Sequence, residues 1–425
     1  MSPPTRILLA LALGIALGIA SIATGGGWVD QVVAIAEPLG GLWLSALQMT
    51  IVPLVVSLLI TGIAASAQAA RASKLATRAM ILFVALLWLS SIASALLTPL
   101  LLELFPLPVA AAGALRDALV TAGPAGAAPG FADFLRSLVP TNPIAAAAQD
   151  AILPLIFFTL IFAFAMTTLP AEPREKLTGF FKAIADTMLV VIGWVLWVAP
   201  AGVFALAYVV GVRAGGSAFG ALLHYVVIVS AVGVVIWLAA WPVAWIGARI
   251  SPIRFTRAIA PAQAIAISTQ SSLACLPAML RAANRLDVPV AASGVALPMA
   301  VAIFRSTGPA MNLAVAIYIA YWFGIELTPG QMAIGVAAAA TTTMAAAGIP
   351  GQASFITSIA PICLAMGLPI EPLVLLIAVE VLPDIIRTLG NVSMDVAATA
   401  TAAKRSGFDE EDATSREDRL LEEGA

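Results

Sequence analysis

Charge is what this sequence has least of. Of its 425 residues only 10% are Asp, Glu, Lys or Arg, against the roughly 25% of a soluble domain, so a water-facing globule is excluded. Histidine occurs once, at His224, and cysteine twice, at Cys275 and Cys363. A single His without clustered Cys or acidic partners excludes a His/Cys metal centre, and two isolated Cys in apolar surroundings exclude a disulfide framework. Each thiol reads as a buried structural group, and His224 as a helix residue near the outer interface. No Ser and base arrangement points to a nucleophilic enzyme. A net charge of -2 leaves no basic surplus, which argues against nucleic acid as a partner.

What fills the chain is hydrocarbon. Hydrophobic residues make up 61% of it, and apolar runs of about 20 residues, the length of a helix that crosses a bilayer core, recur from residue 7 to residue 403. The run after Arg6 resembles a signal-peptide core, but it lacks a clear cleavage site and continues past Gly25 to Gly27, so it reads as a retained first span. Lys and Arg beside spans collect on the cytoplasmic side, which allows the crossings to be counted. Spans near 7–24 and 40–66 bring the chain back to Arg71, Lys74 and Arg78, and a third ends near Leu102. The Pro-, Gly- and Ala-rich stretch from Glu103 to Gln149 reads as an external insertion. A fourth span, 152–168, leads to Arg174, Lys176 and Lys182; a fifth ends at Arg213 and a sixth at Arg249, Arg254 and Arg257.

The next stretch, Ala258 to Leu280, is long enough to cross, yet Arg281 and Arg285 follow it on the same side. Its middle is polar, Ser268 to Ser272, and Pro277 follows, which predicts a re-entrant hairpin, since irregular backbone at membrane depth survives only where it lines a cavity or packs on protein. A seventh span runs from Val288 to Gly324. A second interrupted stretch, 331–367, is broken around Ala347 to Gln352, and an eighth span, 372–403, ends at Lys404 and Arg405. Hairpin plus span, twice and in opposite orientation, is an inverted repeat that points to a binding site near the midplane; two ordinary kinked helices are the alternative. The expected fold is therefore an all-α integral membrane protein with eight transmembrane helices and two re-entrant helical hairpins. Residues 1–404 form one membrane unit, and 405–425 an acidic, disordered cytoplasmic tail. Both termini are expected in the cytoplasm, and the protein in the plasma (inner) membrane in contact with lipid.

The eighth span carries Glu380, Asp384, Arg387, Asn391 and Asp395, spaced four, three, four and four residues apart, which puts them on one narrow helix face. Ionised groups there cost roughly 2.5 to 3.5 kcal/mol each on an insertion scale, so they must face partners or a wet cavity. Asp384 and Arg387 alone could be a structural i, i+3 pair. Two further carboxylates and an amide exceed what one arginine neutralises, and suggest a clamp for a small carboxylate-bearing solute. Arg387 offers a carboxylate two parallel hydrogen bonds, Asp384 accepts from an ammonium group, and Asn391 serves either. Asp395 is a candidate ligand for a hard cation, and Glu380, in apolar surroundings, a candidate proton carrier.

These residues sit in segments that resemble the dicarboxylate/amino acid:cation symporters, the glutamate-transporter fold family, over roughly residues 28 to 404. The segments are MTIVPLVVSLL in the second span, LVPTNPIAAAAQDAILPLIFF entering the fourth, VAPAGVFAL in the fifth, SSLACLP and AAGIPG in the two hairpins, and PDIIRTLGNVSMD in the last span. The resemblance implies a homotrimer of elevator-type transporters: scaffold spans in about 6–150 and part of 150–250, and a moving core of about 251–404 with the third and sixth spans. It implies a secondary active symporter for an acidic amino acid or a dicarboxylate, with a proton or sodium as coupling ion and no cofactor. It assigns substrate contacts to Ser271, Ser272, Gly308, Gly348, Ile349, Pro350, Asp384, Arg387, Thr388 and Asn391, and Asp384 favours an amino acid. Where the family carries N-M-D-G-T in the seventh span, this chain has Phe304, Arg305, Ser306, Thr307 and Gly308. Side-chain ligands for sodium are missing there. One cation site remains conceivable, from Ala300, Phe304, Asn391 and Asp395, while Arg305 reads either as a fixed positive charge near Asp395 or Glu380 that replaces sodium, or as a lipid-snorkelling side chain. An uncoupled facilitator or channel is the alternative function.

Overall fold

The computed structural model describes residues 3–24, 27–72, 74–107, 139–149, 151–215, 217–345 and 351–406. Every regular element among them is helical, as a chain without water to satisfy its backbone requires. Most of the insertion expected between Glu103 and Gln149, the tail beyond Ser406, and the candidate residues Gly348, Ile349 and Pro350 lie outside the described residues.

The N-terminal half consists of α1 (Pro3–Thr24), α2 (Trp28–Gln48), α3 (Ile51–Ala72), α4 (Lys74–Leu104), the short α5 (Pro143–Ala148), α6 (Ile152–Thr167), α7 (Ala171–Trp197), α8 (Ala199–Ala214) and α9 (Ser217–Leu238). The second expected span, 40–66, is the middle of a longer run, α2 and α3, interrupted at Met49 and Thr50. Helix α9 is prolonged by a turn at Ala240–Pro242 and a π-helical turn at Val243–Gly247. Helices α1 and α8 cross with their backbones touching: a Cβ on Gly18 would stand 2.4 Å from the Tyr208 carbonyl oxygen, and one on Gly211 2.5 Å from that of Ile15. Small residues give membrane helices this close approach.

The C-terminal half repeats one pattern. Helix α10 (Pro252–Thr269) starts at an extended Ser251 with Pro252 in its first turn and ends at Gln270, whose left-handed backbone (φ 50) stops it. The next residue, Ser271, accepts the N–H of Ala274 and caps α11 (Ser272–Arg285). Two caps in consecutive residues reverse the chain, and α10 and α11 pack against each other as a hairpin. The span that follows is not the single helix expected from 288 to 324: α12 (Val290–Ile303) and α13 (Thr307–Phe323) are parted by Phe304, extended at φ -112, ψ 94. Then α14 (Pro329–Ala345) and α15 (Gly351–Ala365) pack together, and α16 (Leu373–Val379) leads at Glu380 into α17 (Val381–Ser406). Helix α17 runs through Lys404 and Arg405 rather than giving way to tail at 405.

Among the described residues five helical stretches are long and apolar enough to cross a membrane: Trp28–Ala65, Leu75–Leu104, Ala171–Trp197, Phe219–Gly247 and Ala292–Phe323. The last is 89% buried inside the protein and the Ala171–Trp197 stretch 17%, so α12 and α13 are the centre of the molecule and α7 its periphery. The ends agree with the charge count. Arg78, at the start of α4, donates to the Arg405 carbonyl at 2.8 Å, and the far end of α4 meets His224, whose Nε2 lies 2.7 Å from the Phe105 carbonyl oxygen. Two large apolar cores result, one ending along the chain at Val379 and the other resuming at Leu389; the polar stripe begins between them.

Candidate functional site

Helix α17 has Pro383 in its first turn and places Glu380, Asp384, Arg387 and Asn391 in one line facing α9 and α13. Arg387 Nη1 is 2.5 Å from Glu380 Oε1 and 3.2 Å from Asp384 Oδ1, with side chains 8%, 5% and 15% exposed respectively. Glu380 is thus not in the apolar surroundings expected of it: it is ion-paired, and Tyr225 of α9 donates to its second oxygen at 2.9 Å. A buried carboxylate keeps its charge at tolerable cost only with such partners.

Arg387 is only half used. Its Nε and Nη2, both buried, have no hydrogen-bond partner among the described residues, and neither does the Asn391 Nδ2. Asn391 Oδ1 accepts the backbone N–H of Thr307 at 3.0 Å and lies 2.6 Å from the Thr307 hydroxyl, which also reaches the Arg387 carbonyl at 2.8 Å. The Thr307 amide therefore fixes the orientation of Asn391, oxygen toward α13 and NH2 away from it. Gly390 permits the approach: a Cβ there would lie 2.2 Å from the Thr307 methyl. Thr388 turns its hydroxyl back onto the Asp384 carbonyl at 2.9 Å, so its described bond is within its own helix.

The tip of the first hairpin reaches this line, since Gln270 Nε2 lies 3.4 Å from the Val381 carbonyl oxygen; Ser271 and Ser272 follow it, the first engaged as a helix cap. Gly308 is buried and its missing side chain makes room for Thr343 of α14, 2.7 Å from where a Cβ would be. That describes packing between α13 and α14.

Asp395 lies one turn beyond Asn391, wholly buried, and both of its oxygens lack a hydrogen-bond partner among the described residues. Of the other expected cation ligands, the Ala300 carbonyl accepts from the Phe304 N–H at 2.7 Å and Asn391 Oδ1 accepts from Thr307; the Phe304 ring stacks on Phe83 at 4.5 Å. Ser306 gives its carbonyl to Ser90 at 2.5 Å. Arg305, partly buried in the same break, interacts electrostatically with Asp395, Asp384 and Arg387. Asp395 is thus the side chain of this set whose oxygens are left unused among the described residues, and Arg305 stands in the same break.

Three features escaped the sequence reading: Tyr225 against Glu380, Thr307 against Asn391, and the bonds from Trp237 and Gln263 to Ser393, at 3.1 and 3.0 Å. Tyr225 had a signal, since a buried tyrosine hydroxyl in an apolar helix needs a partner. The Thr307 contact had none in the spacing of α17.

Buried ionised groups with unused hydrogen-bonding edges, at the junction of broken helices in an all-helical membrane protein, define a carrier for a small polar solute. A family comparison gives the particular kind. The model of the Sodium:dicarboxylate symporter family matches residues 4–405, and the chain belongs to that family. It is a multi-pass membrane protein and a cation-coupled symporter, not an enzyme. It is similar to a proton/glutamate-aspartate symporter of Escherichia coli K12, 29% identical over 98% of this chain and 96% of that protein. A neutral amino acid transporter B(0) of Oryctolagus cuniculus is 29% identical over 91% of this chain and 77% of its own length. A C4-dicarboxylate transport protein of Ralstonia nicotianae is 27% identical over 94% and 88%.

Proposed function

We propose that this chain carries an acidic amino acid, aspartate or glutamate, or a closely related dicarboxylate, into the cell together with protons. One observation carries the reading: the unused donors of Arg387 are Nε and Nη2, the edge that meets a carboxylate with two parallel hydrogen bonds. Asn391 Nδ2 offers a third donor for a second carboxylate, and Asp384 an acceptor for an ammonium group. The names of the E. coli and Ralstonia relatives point to the same solutes.

Proton coupling follows from counting charge. Glu380, Asp384 and Arg387 together hold one net negative charge, and a solute carboxylate at Arg387 adds another in a site closed to water. A proton on Glu380 removes the excess and releases Nη1, so solute and proton load together. The groups facing Glu380 are Arg387 and Asp384 on its own helix and Tyr225 from α9.

In this reading α10–α11 and α14–α15 are re-entrant hairpins in inverted repeats. The tip of the first carries Ser271 and Ser272 from the cytoplasmic side. The core of about 251–404 moves with α4 and α9 against the remaining spans, in three copies, with both termini in the cytoplasm of the inner membrane. The contacts of α4 and α9 with α13 and α17 support that grouping.

The experiment is uptake of labelled aspartate, glutamate and succinate into proteoliposomes of purified protein under an imposed proton or sodium gradient. Accumulation of at least one of them on the proton gradient alone is expected. Equilibration without accumulation would make the protein a facilitator, and no uptake of any would end the acidic-solute reading.

A further inference from the structure

Asp395 poses a question that the solute site does not answer. Its side chain is wholly buried, neither oxygen accepts a hydrogen bond from a described residue, and an unbalanced carboxylate in such a place is among the costliest groups a protein can hold. Something must balance it. The break between α12 and α13 brings a candidate. Thr307, at the start of α13, is tied to Asn391 by its amide and hydroxyl, and Asn391 precedes Asp395 by one helical turn. Arg305 stands two residues before Thr307, in the unwound stretch directly beyond the C-terminus of α12. There the last carbonyls of the helix present the negative end of its dipole, a favourable setting for a cation.

We infer that the Arg305 guanidinium is a tethered counter-cation for Asp395, a built-in replacement for a mobile metal ion at the junction of the two broken spans. Three features of the surroundings agree. Arg305 and Asp395 act on each other electrostatically, and Arg305 also feels Asp384 and Arg387. Oxygens around the break already accept hydrogen bonds, Ala300 O from Phe304, Ser306 O from Ser90 and Asn391 Oδ1 from Thr307, which leaves each less open to a metal ion. Phe304, the residue before Arg305, stacks on Phe83 at 4.5 Å, which puts hydrocarbon beside the break. The consequence is that this site holds its positive charge in every stage of transport. A carrier that binds sodium here neutralises Asp395 only when loaded; this chain neutralises it permanently, so sodium has no site at which to assist solute binding. The proton is left as the coupling ion, which deepens the functional reading above and rests on it only in that last step.

The test needs no solute. Purified full-length protein is melted in sodium chloride and in choline chloride, for wild type, Arg305→Gln, Asp395→Asn, the double variant and Arg305→Lys. Wild type melts at the same temperature in both salts. Arg305→Gln melts several degrees lower in choline and recovers in sodium, because the ion can now enter beside Asp395. Asp395→Asn is also lowered, the double variant melts higher than the sum of the two losses demands, and Arg305→Lys stays near wild type. Sodium stabilising the wild type would overturn the inference, as would strictly additive losses in the double variant. If Arg305→Gln cannot be purified, recovery of folded protein in the double variant supports the pairing and its absence refutes it. These melts can fail while acidic solutes are still transported, and can succeed if they are not.

Discussion

Replacing Glu380 by glutamine removes one unit of charge and almost no volume, at a group that is 5% exposed and 2.5 Å from Arg387. The variant is expected to fold. Deleting a partner from a buried ion pair costs about 3–5 kcal/mol when it strands the other charge, but here Asp384, 3.2 Å away, still balances Arg387. The amide oxygen keeps an acceptor for Arg387 and the NH2 can donate to the Tyr225 hydroxyl oxygen, so the loss is the difference between a charged and a neutral hydrogen bond, about 1 kcal/mol. Transport changes far more. Each proton moving down one pH unit supplies about 1.36 kcal/mol, which sustains a tenfold solute gradient. With residue 380 permanently neutral, that accumulation falls to equilibration, while exchange of labelled external solute for unlabelled internal solute continues, because exchange needs only the loaded carrier. Proteoliposomes with an acidic exterior measure the first, and preloaded ones without a pH difference the second. Accumulation by Glu380→Gln to the wild-type ratio would refute Glu380 as the proton carrier; loss of exchange together with accumulation would refute the argument that protonation is what the loaded state requires.

Two further substitutions test the frame around the site. Thr307→Val keeps the N–H that holds Asn391 but removes the hydroxyl 2.6 Å from Asn391 Oδ1 and 2.8 Å from the Arg387 carbonyl; a loss of about 1 kcal/mol should lower solute affinity several-fold in a binding titration, and unchanged affinity would show that the hydroxyl does not position the clamp. In α1, Gly18→Ala places a methyl 2.4 Å from the Tyr208 carbonyl oxygen, whereas Gly41 in α2 has nothing within 4 Å of the same addition. Gly18→Ala should destabilise by about 1–3 kcal/mol through overpacking and Gly41→Ala should stabilise by about 0.5 kcal/mol through helix propensity, both read as melting temperatures in one detergent.

The succession of elements could be read from the chain because two one-dimensional signals carry it. Apolar length marks the helices, and arginines mark which ends lie together: Arg78 and Arg405, placed on one side by charge alone, meet through a hydrogen bond. Polar residues at mid-run marked the turn between α10 and α11, and Ser271 and Gln270 act as the caps that such an interruption needs. What could not be read was the break at Phe304, because Phe-Arg-Ser has no helix-stopping residue in it. The extended backbone there is imposed by contacts from outside: the stack on Phe83 and the Ser90 hydroxyl on the Ser306 carbonyl, both from α4.

The same division runs through the site. Helical spacing gathers Glu380, Asp384, Arg387 and Asn391 without any knowledge of the fold, since neighbours on one helix face are neighbours in space. It says nothing about which edge of a guanidinium is left over. The sequence sets Glu380 in apolar surroundings as a candidate proton carrier; Tyr225, 155 residues away, and Arg387 on the next turns make it a shared carboxylate. In the proposed mechanism this sharing matters, because an acid competing for one arginine takes a proton when the solute arrives. The dependence that coupling needs would come from Nη1 of Arg387 being held by Glu380 while Nε and Nη2 are left for the cargo.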